Sequence, residues 1–332
     1  MSVLKAYRLK FLSKATLVRS YTLFGAICWA CELLGKDLKN LLHGFEKGNP
    51  PFLISDPMPL AKSADRELLL FPKPVLPVMK EFRREDDICL KKDRKKIKKA
   101  KYVTFKVLKK VLEGEVLEEV DLMDKEEFKV SNNIISLADE SPEFKDENAL
   151  SVRNILNRIN MRSENLFTED YHLFSDRFFL LWFKDEGYED TVEECLSIIE
   201  DNGLGANKNL GWGKVKIEPL EGFDEEFTYL SRKVMQSAKR FITLSPVIPQ
   251  RGTLDFKDSY YTLEVYKSPT DNTFGGPFIW KRKVIYLKEG SVLKNPKSEG
   301  FVGRLKETKA GDFRVFQYGY EFPLEVRNYV QA

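Results

Sequence analysis

The sequence predicts an α+β fold whose first part runs β-α-β-β-α-β and whose last third is rich in strands. Three observations carry that reading. The stretch "KAYRLKFL" (5–12) alternates, with Tyr7, Leu9 and Phe11 on one side and Arg8 and Lys10 on the other, as a half-buried strand does. The stretch "DRFFLLWFKD" (176–185) is a continuous apolar run bounded by charge, the pattern of a central strand. Each is followed by an amphipathic segment, "YTLFGAICWACELLG" or "TVEECLSIIEDNG".

Taken in order, the first strand leads through a polar link, "SKATLVRS", into a helix. That helix carries Leu23, Ile27, Cys31 and Leu34 at helical spacing and stops at Gly35. "GNPPFLISDPMPL" (48–60) reads as a short strand broken by prolines. "LLLFPKPVLPVMK" (68–80) is extended, "KKDRKKIKKAK" (91–101) is basic, and residues 113–147 are dominated by Glu and Asp. Opposite blocks of charge can pair in the fold or stay solvated. Residues at about 61–170 are expected to be an insertion of helices and loops. The second helix carries Val192, Leu196 and Ile199 with acids at its start. A Gly-rich loop and the strand "KVKIEPL" complete a split βαβ of the ferredoxin-like or RRM kind. After a linking helix, "FDEEFTYLSRKVMQSAKR", the strands "RFITLSPVIPQ", "SYYTLEVYKSP", "GPFIWKRKVIYL" and "DFRVFQYGYEFPLEV" predict a degenerate sheet domain. The expected boundaries are 1–222 and 223–332, two domains being ordinary for 332 residues.

Composition narrows the function classes. Net charge is only +3, so any basic surface must be local. No apolar run approaches the ~18 residues of a membrane span, and the N-terminus lacks the apolar core of a signal peptide; a cytoplasmic protein is expected. Cys28 and Cys31 form a C-x-x-C within a helix, Cys89 and Cys195 stand apart in sequence, and the only histidines are His43 and His172. A zinc site wants a second pair at ligand spacing. Buried helix cysteines are expected, with no metal and no cofactor.

The loop "DNGLGANKNLGWGKVKIEPL" (201–220) holds Gly203, Gly205, Gly211 and Gly213, with Asn207, Lys208, Asn209, Trp212 and Lys214 among them. It fails the Walker A pattern, because Lys208 stands where the first glycine belongs and Val215 where Ser or Thr belongs. It fails the dinucleotide fingerprint as well. Nucleotide loops run from a strand into a helix N-terminus, which favours anions. This one leaves a helix C-terminus, which repels them. Affinity for phosphate must then come from backbone N–H groups and from Lys208 and Lys214, with glycine permitting close approach. That suits a polynucleotide backbone better than a triphosphate. A plain helix-to-strand turn is the alternative.

The loop "GLGANKNLGWGKV" resembles the G-rich loop of the RAMP superfamily of CRISPR proteins. "VRSYTLFGAICWACELL" is similar to the start of those proteins, and "GPFIWKRKVIYLKEGSVL" and "FQYGYEF" to motifs of the Csm four-type branch, the Cas five group of type III-A complexes. The likeness runs from residue 5 to about 325. It implies two ferredoxin-like domains, the second degenerate, and a non-catalytic subunit that caps the 5′ tag of a guide RNA. The implied neighbours are a large Cas ten-type subunit and a Csm three-type backbone subunit. The type III-B counterpart, the Cmr three-type subunit, shares the general plan.

Single-stranded RNA is held by Lys, Arg and main-chain donors, with bases stacked or splayed by large side chains. Arg19, Ser20 and Tyr21, between the first strand and helix, are therefore candidate contacts to phosphate or a tag base. "SVRNILNRINMRSENLF" (151–167) supplies Arg153, Arg158 and Arg162 with Asn154, Asn157 and Asn160, and Phe167 as a wedge. The resemblance implies a thumb-like element there; a solvated helix face is the alternative. Arg251 and the "WKRK" residues Lys281, Arg282 and Lys283 are weaker candidates. The rival enzyme reading is a metal-free endoribonuclease of the Cas six type. It needs an acid-base pair, usually His, and His43 is the better placed of the two. The roughly 120 residues after the glycine loop depart from that family's plan.

Overall fold

The computed structural model describes residues 2–64, 66–78, 88–270, 280–297, 299–310 and 313–327. The chain opens with β1 (Val3–Phe11), α1 (Ser20–Leu33), α2 (Leu38–Glu46), β2 (Phe52–Ile54) and β3 (Met58–Ser63). The next stretch holds β4 (Arg66–Pro72), α3 (Ile88–Lys99), β5 (Tyr102–Thr104), α4 (Phe105–Glu113), β6 (Phe128–Ser131) and β7 (Ile134–Leu137). A long hairpin follows, β8 (Glu147–Leu156) and β9 (Ser163–Leu173), then β10 (Arg177–Phe183), α5 (Glu189–Asn202) and β11 (Val215–Pro219). The remainder is α6 (Asp224–Lys233), β12 (Arg240–Thr243), β13 (Leu263–Tyr266), β14 (Val284–Leu287), β15 (Val292–Lys294), β16 (Lys306–Ala310), β17 (Phe313–Gln317) and β18 (Pro323–Glu325).

A nine-stranded mixed sheet runs in the order β11-β1-β10-β3-β4-β5-β7-β6, with β2 also paired to β10. Strand β10 is buried along its whole length, as its unbroken apolar run requires. Each fully buried side chain of this size contributes about 1.5–3 kcal/mol. Tyr7 and Lys5 of β1 both reach Glu193 on α5. Arg8, on the opposite face, is held by Glu67 and Asp176, while Lys10 beside it is exposed. Helix α1 buries Leu23, Ile27 and Cys31 as its spacing predicts, and Gly35 ends it at a φ of 66°.

The expected insertion of helices and loops needs correction. Strands β3 and β4 pair antiparallel, and β5, β7 and β6 carry the same sheet further. Apolar side chains such as Leu70, Val103 and Ile135 are fully buried there. Two of these strands, β5 and β7, are parallel. Part of the 68–80 stretch, and residues 276–279 of "GPFIWKRKVIYL", lie outside the described residues.

The last third forms a three-stranded sheet, β15-β12-β18, and the hairpins β13–β14 and β16–β17; β15 and β16 went unpredicted. One apolar core runs through both halves, from Phe24 and Phe45 to Tyr318 and Tyr320. Phe24 stacks on Tyr318 at 4.8 Å, and the Tyr318 hydroxyl accepts a hydrogen bond from the Ile54 amide at 3.1 Å. The cysteines differ from expectation too. Cys195 is not isolated in space: its sulfur lies 3.3 Å from that of Cys31, and both are buried. The side chain of Cys89 lies outside the described set. No helix among the described residues is long and apolar enough to cross a membrane.

Candidate nucleic-acid interface

The short link after β1 is the hub of the candidate site. On one side it holds the Gly-rich loop. The Leu12 amide donates to the Lys214 carbonyl at 2.8 Å and the Gly213 amide to the Lys14 carbonyl at 2.9 Å. The Ser13 hydroxyl accepts from the Lys214 amide, and the Thr16 hydroxyl from the Ala206 amide. On its other side Ala15 exchanges two backbone hydrogen bonds with His172 at the foot of the β8–β9 hairpin. The loop and hairpin, some forty residues apart in sequence, are thus joined through residues 12–16. None of the hub residues was a sequence candidate; their signal is only that the link sits between a basic strand and a helix.

Trp212 lies at the junction. It is 2% exposed, with the Lys14 Nζ 4.6 Å and the Arg153 Cζ 5.1 Å from its ring and Tyr171 edge-on at 5.9 Å. Each cation above an indole is worth about 0.5–2 kcal/mol. Arg153 also pairs with Glu169 at 3.0 Å, which accepts from the Asn207 amide group.

The four glycines all have positive φ, between 69° and 92°, and Asn207 is left-handed at 61°. A Cβ at Gly213 would stand 2.0 Å from the Leu204 carbonyl oxygen, and one at Gly205 would stand 2.7 Å from the Thr16 hydroxyl. The close approach permitted at Gly203, Gly205 and Gly213 is thus to the protein itself, whereas Gly211 has open space beside it. Trp212 is too buried to stack on a base. The loop's outward groups are Asn209 and Lys214, both exposed, and the half-buried Lys208, whose Nζ lies 4.7 Å over the Trp29 ring.

Residues 151–167 are a β-hairpin, not a helix. Arg158 and Arg162 are exposed at its tip, and Asn154 and Phe167 are exposed along its strands. Asn157 and Asn160 are spent on the turn: Asn157 Oδ1 accepts from the Ile159 amide, and Asn160 Oδ1 from the Arg162 amide. The hairpin also exposes apolar side chains, led by Ile159 at 96%.

Arg19, Ser20 and Tyr21 lie elsewhere and need correction as phosphate contacts. Ser20 and Tyr21 are buried. The Arg19 guanidinium is bound by Asp56 at 2.7 Å, Glu289 at 2.8 Å and Glu264 at 3.4 Å. Three carboxylates already outweigh its charge. Burial pushes the Asp56 carboxyl up to about 6, against the pull of Arg19 and the Ser20 amide. This node ties the start of α1 to the C-terminal third. The motifs "KEGSVL" and "QYGYEF" serve the same seam: Glu289 binds Arg19, and the Tyr320 hydroxyl, 2.5 Å away, donates to the Phe45 carbonyl. Arg251, Arg282 and Lys283 are exposed and Lys281 is half-buried. His43 is exposed at the end of α2. His172 stacks on Phe174 at 5.1 Å. Among the described residues no group of three His, Cys, Asp or Glu is placed to hold a metal.

No family model and no curated protein matches this sequence. Solved structures do. A chain of the Csm3-Csm4 subcomplex of the type III-A CRISPR-Cas interference complex matches with a TM-score of 0.63 and 21% identity, covering 98% of this chain and 100% of that one. A chain of the Csm1-Csm4 cassette in complex with pppApA matches with a TM-score of 0.58 and 17% identity, covering 98% of each. The cassette in complex with AMPPNP gives 0.57 and 17%, again covering 98% of each. Over nearly its whole length, this chain therefore has the fold of chains from type III-A assemblies whose shared component is Csm4.

Proposed function

We propose that the chain is the Csm4-type subunit of a type III-A CRISPR interference complex, without catalysis of its own, that holds the 5′-tag end of the guide RNA. The observation that carries this reading is the junction at Trp212. It fixes a Gly-rich loop against a projecting hairpin, in a chain whose whole length matches the fold of those assemblies. The loop offers Lys208, Asn209 and Lys214 to a phosphate backbone, and the hairpin offers Arg158, Arg162 and apolar side chains that can lie over or between bases. The strand order β11-β1-β10-β3 supports a ferredoxin-like first domain. The second ferredoxin-like domain is the freer part of the proposal, supported by β12 between β15 and β18. By analogy with the matched assemblies, the neighbours are a Csm3-type backbone subunit and a large subunit in the place of Csm1.

Filter binding to RNA carrying a repeat-derived 5′ tag tests this. Weak binding is expected for the chain alone, falling steeply with salt. Replacing Lys208, Lys214, Arg158 and Arg162 by Ala is expected to weaken it about tenfold or more. No binding either alone or in the reconstituted complex overturns the reading. So does specific cutting of repeat RNA that His43→Ala abolishes.

A further inference from the structure

Helix α3 carries a stripe of charge that the rest of the described chain does not answer. Lys92, Lys95, Lys96 and Lys99 stand at i, i+3, i+4 and i+7, so they share one face. All four are exposed, while Ile97, pointing the other way, is 2% exposed and anchors the helix. The acidic block that follows was the obvious partner, but several of its carboxylates hold other cations. Glu115 and Glu127 hold Lys110, Glu119 holds Lys73, and Asp146 holds Arg177. Among the described residues, the stripe's ion pair joins Lys96 to Asp93 at 3.9 Å, and Asp93 lies nearer to Lys125, at 2.6 Å.

We propose that this face binds the phosphodiester backbone of a nucleic-acid strand without regard to sequence, as a second contact separate from the loop and hairpin. The stripe spans about 10 Å at 1.5 Å per residue, enough for adjacent phosphates. Its residues are lysines, point charges suited to phosphate, with no aromatic or amide among them to read a base. Among the described side chains of the helix, residues 92–99, Ile97 is the only apolar one and it is buried, so no exposed apolar side chain of the kind a membrane-lying helix carries is found there. Separation follows from the sheet. Helix α3 leads into β5, five places along from β11, which follows the glycine loop; at strand spacing that is roughly 24 Å.

The test is fluorescence anisotropy on the full chain with a labelled single-stranded RNA of about 20 nucleotides that lacks the tag, titrated between about 50 and 200 mM salt. The variant Lys92→Ala/Lys95→Ala/Lys96→Ala/Lys99→Ala is expected to bind about tenfold more weakly and to show a log–log salt slope shallower by about 3. Replacing the same four lysines by Arg keeps the charge and is expected to restore both. The preference for tagged over untagged RNA is expected to stay unchanged in either variant, so this result and a failure of the tag-binding reading are distinguishable. An unchanged slope in the Ala variant overturns the proposal. So does an Ala variant that keeps its RNA affinity while losing binding to polyglutamate or to anionic phosphatidylserine vesicles.

Discussion

The Gly-rich loop and the β8–β9 hairpin meet at one tryptophan and hold themselves in opposite ways. The loop is closed on itself and on residues 12–16. At Gly203 and Gly213 backbone passes backbone at contact distance, and the loop's tryptophan is buried under two cations. The hairpin is closed by its own ladder, its turn and its foot, and it touches the loop through Arg153, Glu169 and Tyr171. Its side chains point to solvent, apolar ones included. A projecting element with exposed Ile, Leu and Met is costly in a free monomer and useful where another surface covers it. One element is thus a platform built for rigidity, and the other is an arm built for contact.

Substitution within the loop gives the largest effect. Gly213→Ala places a Cβ 2.0 Å from the Leu204 carbonyl at a φ of 69°, combining a clash with left-handed strain. A loss of about 3 kcal/mol or more is expected in chemical denaturation. Gly211→Ala meets nothing within 4 Å at a φ of 79°, so only the conformational cost of about 1–2 kcal/mol applies. Equal losses at the two positions would mean that the loop is not a clamped platform.

The arm behaves differently under the same measurement. Ile159→Asp and Leu166→Asp alter side chains 96% and 72% exposed, and stability is expected to move by no more than about 0.5 kcal/mol. Co-purification with the neighbouring subunits and guide RNA is where the pair is expected to lose ground, by about tenfold. A large drop in stability instead would show that the hairpin packs against its own chain.

How much of this was legible follows from where the information sits. Strand β10 and helix α1 read directly, because burial on both faces or on one stripe writes itself into consecutive residues. The hairpin misled for the same reason. Val152, Ile155, Leu156 and Ile159 fall at i, i+3, i+4 and i+7, a helical period, and with no core behind them no strand alternation was imposed. The loop's direction of travel was legible; the contact filling the space beside Gly213 was not, since its partner is another loop residue met only after folding. Arg19 illustrates the long-range limit. Its three carboxylates come from positions 56, 264 and 289, and nothing local marks them. The Cys31–Cys195 contact is of the same kind.

The smallest effect lies at the foot of the arm, where it joins the platform's hub. The pKa of His172 is lowered, first by burial and then by the Arg177 charge, with Asp146 and Asp170 opposing. The folded chain therefore prefers the neutral ring, which donates to Asn148 Oδ1. Below an unfolded value of about 6.5 the unfolded chain binds more protons, so this contribution is lost as pH falls through the folded value. Two buried carboxyls run the other way: Asp56, raised to about 6, and Glu321, raised to about 7 by burial, favour the folded state as pH drops. The His172 effect is thus visible only as a difference. His172→Phe keeps the stack on Phe174 and removes the titration. Relative to the native chain, its melting temperature is expected to rise by a degree or so between about pH 7 and pH 5.5. A constant offset across that range would mean that the hairpin foot is indifferent to the charge of the ring.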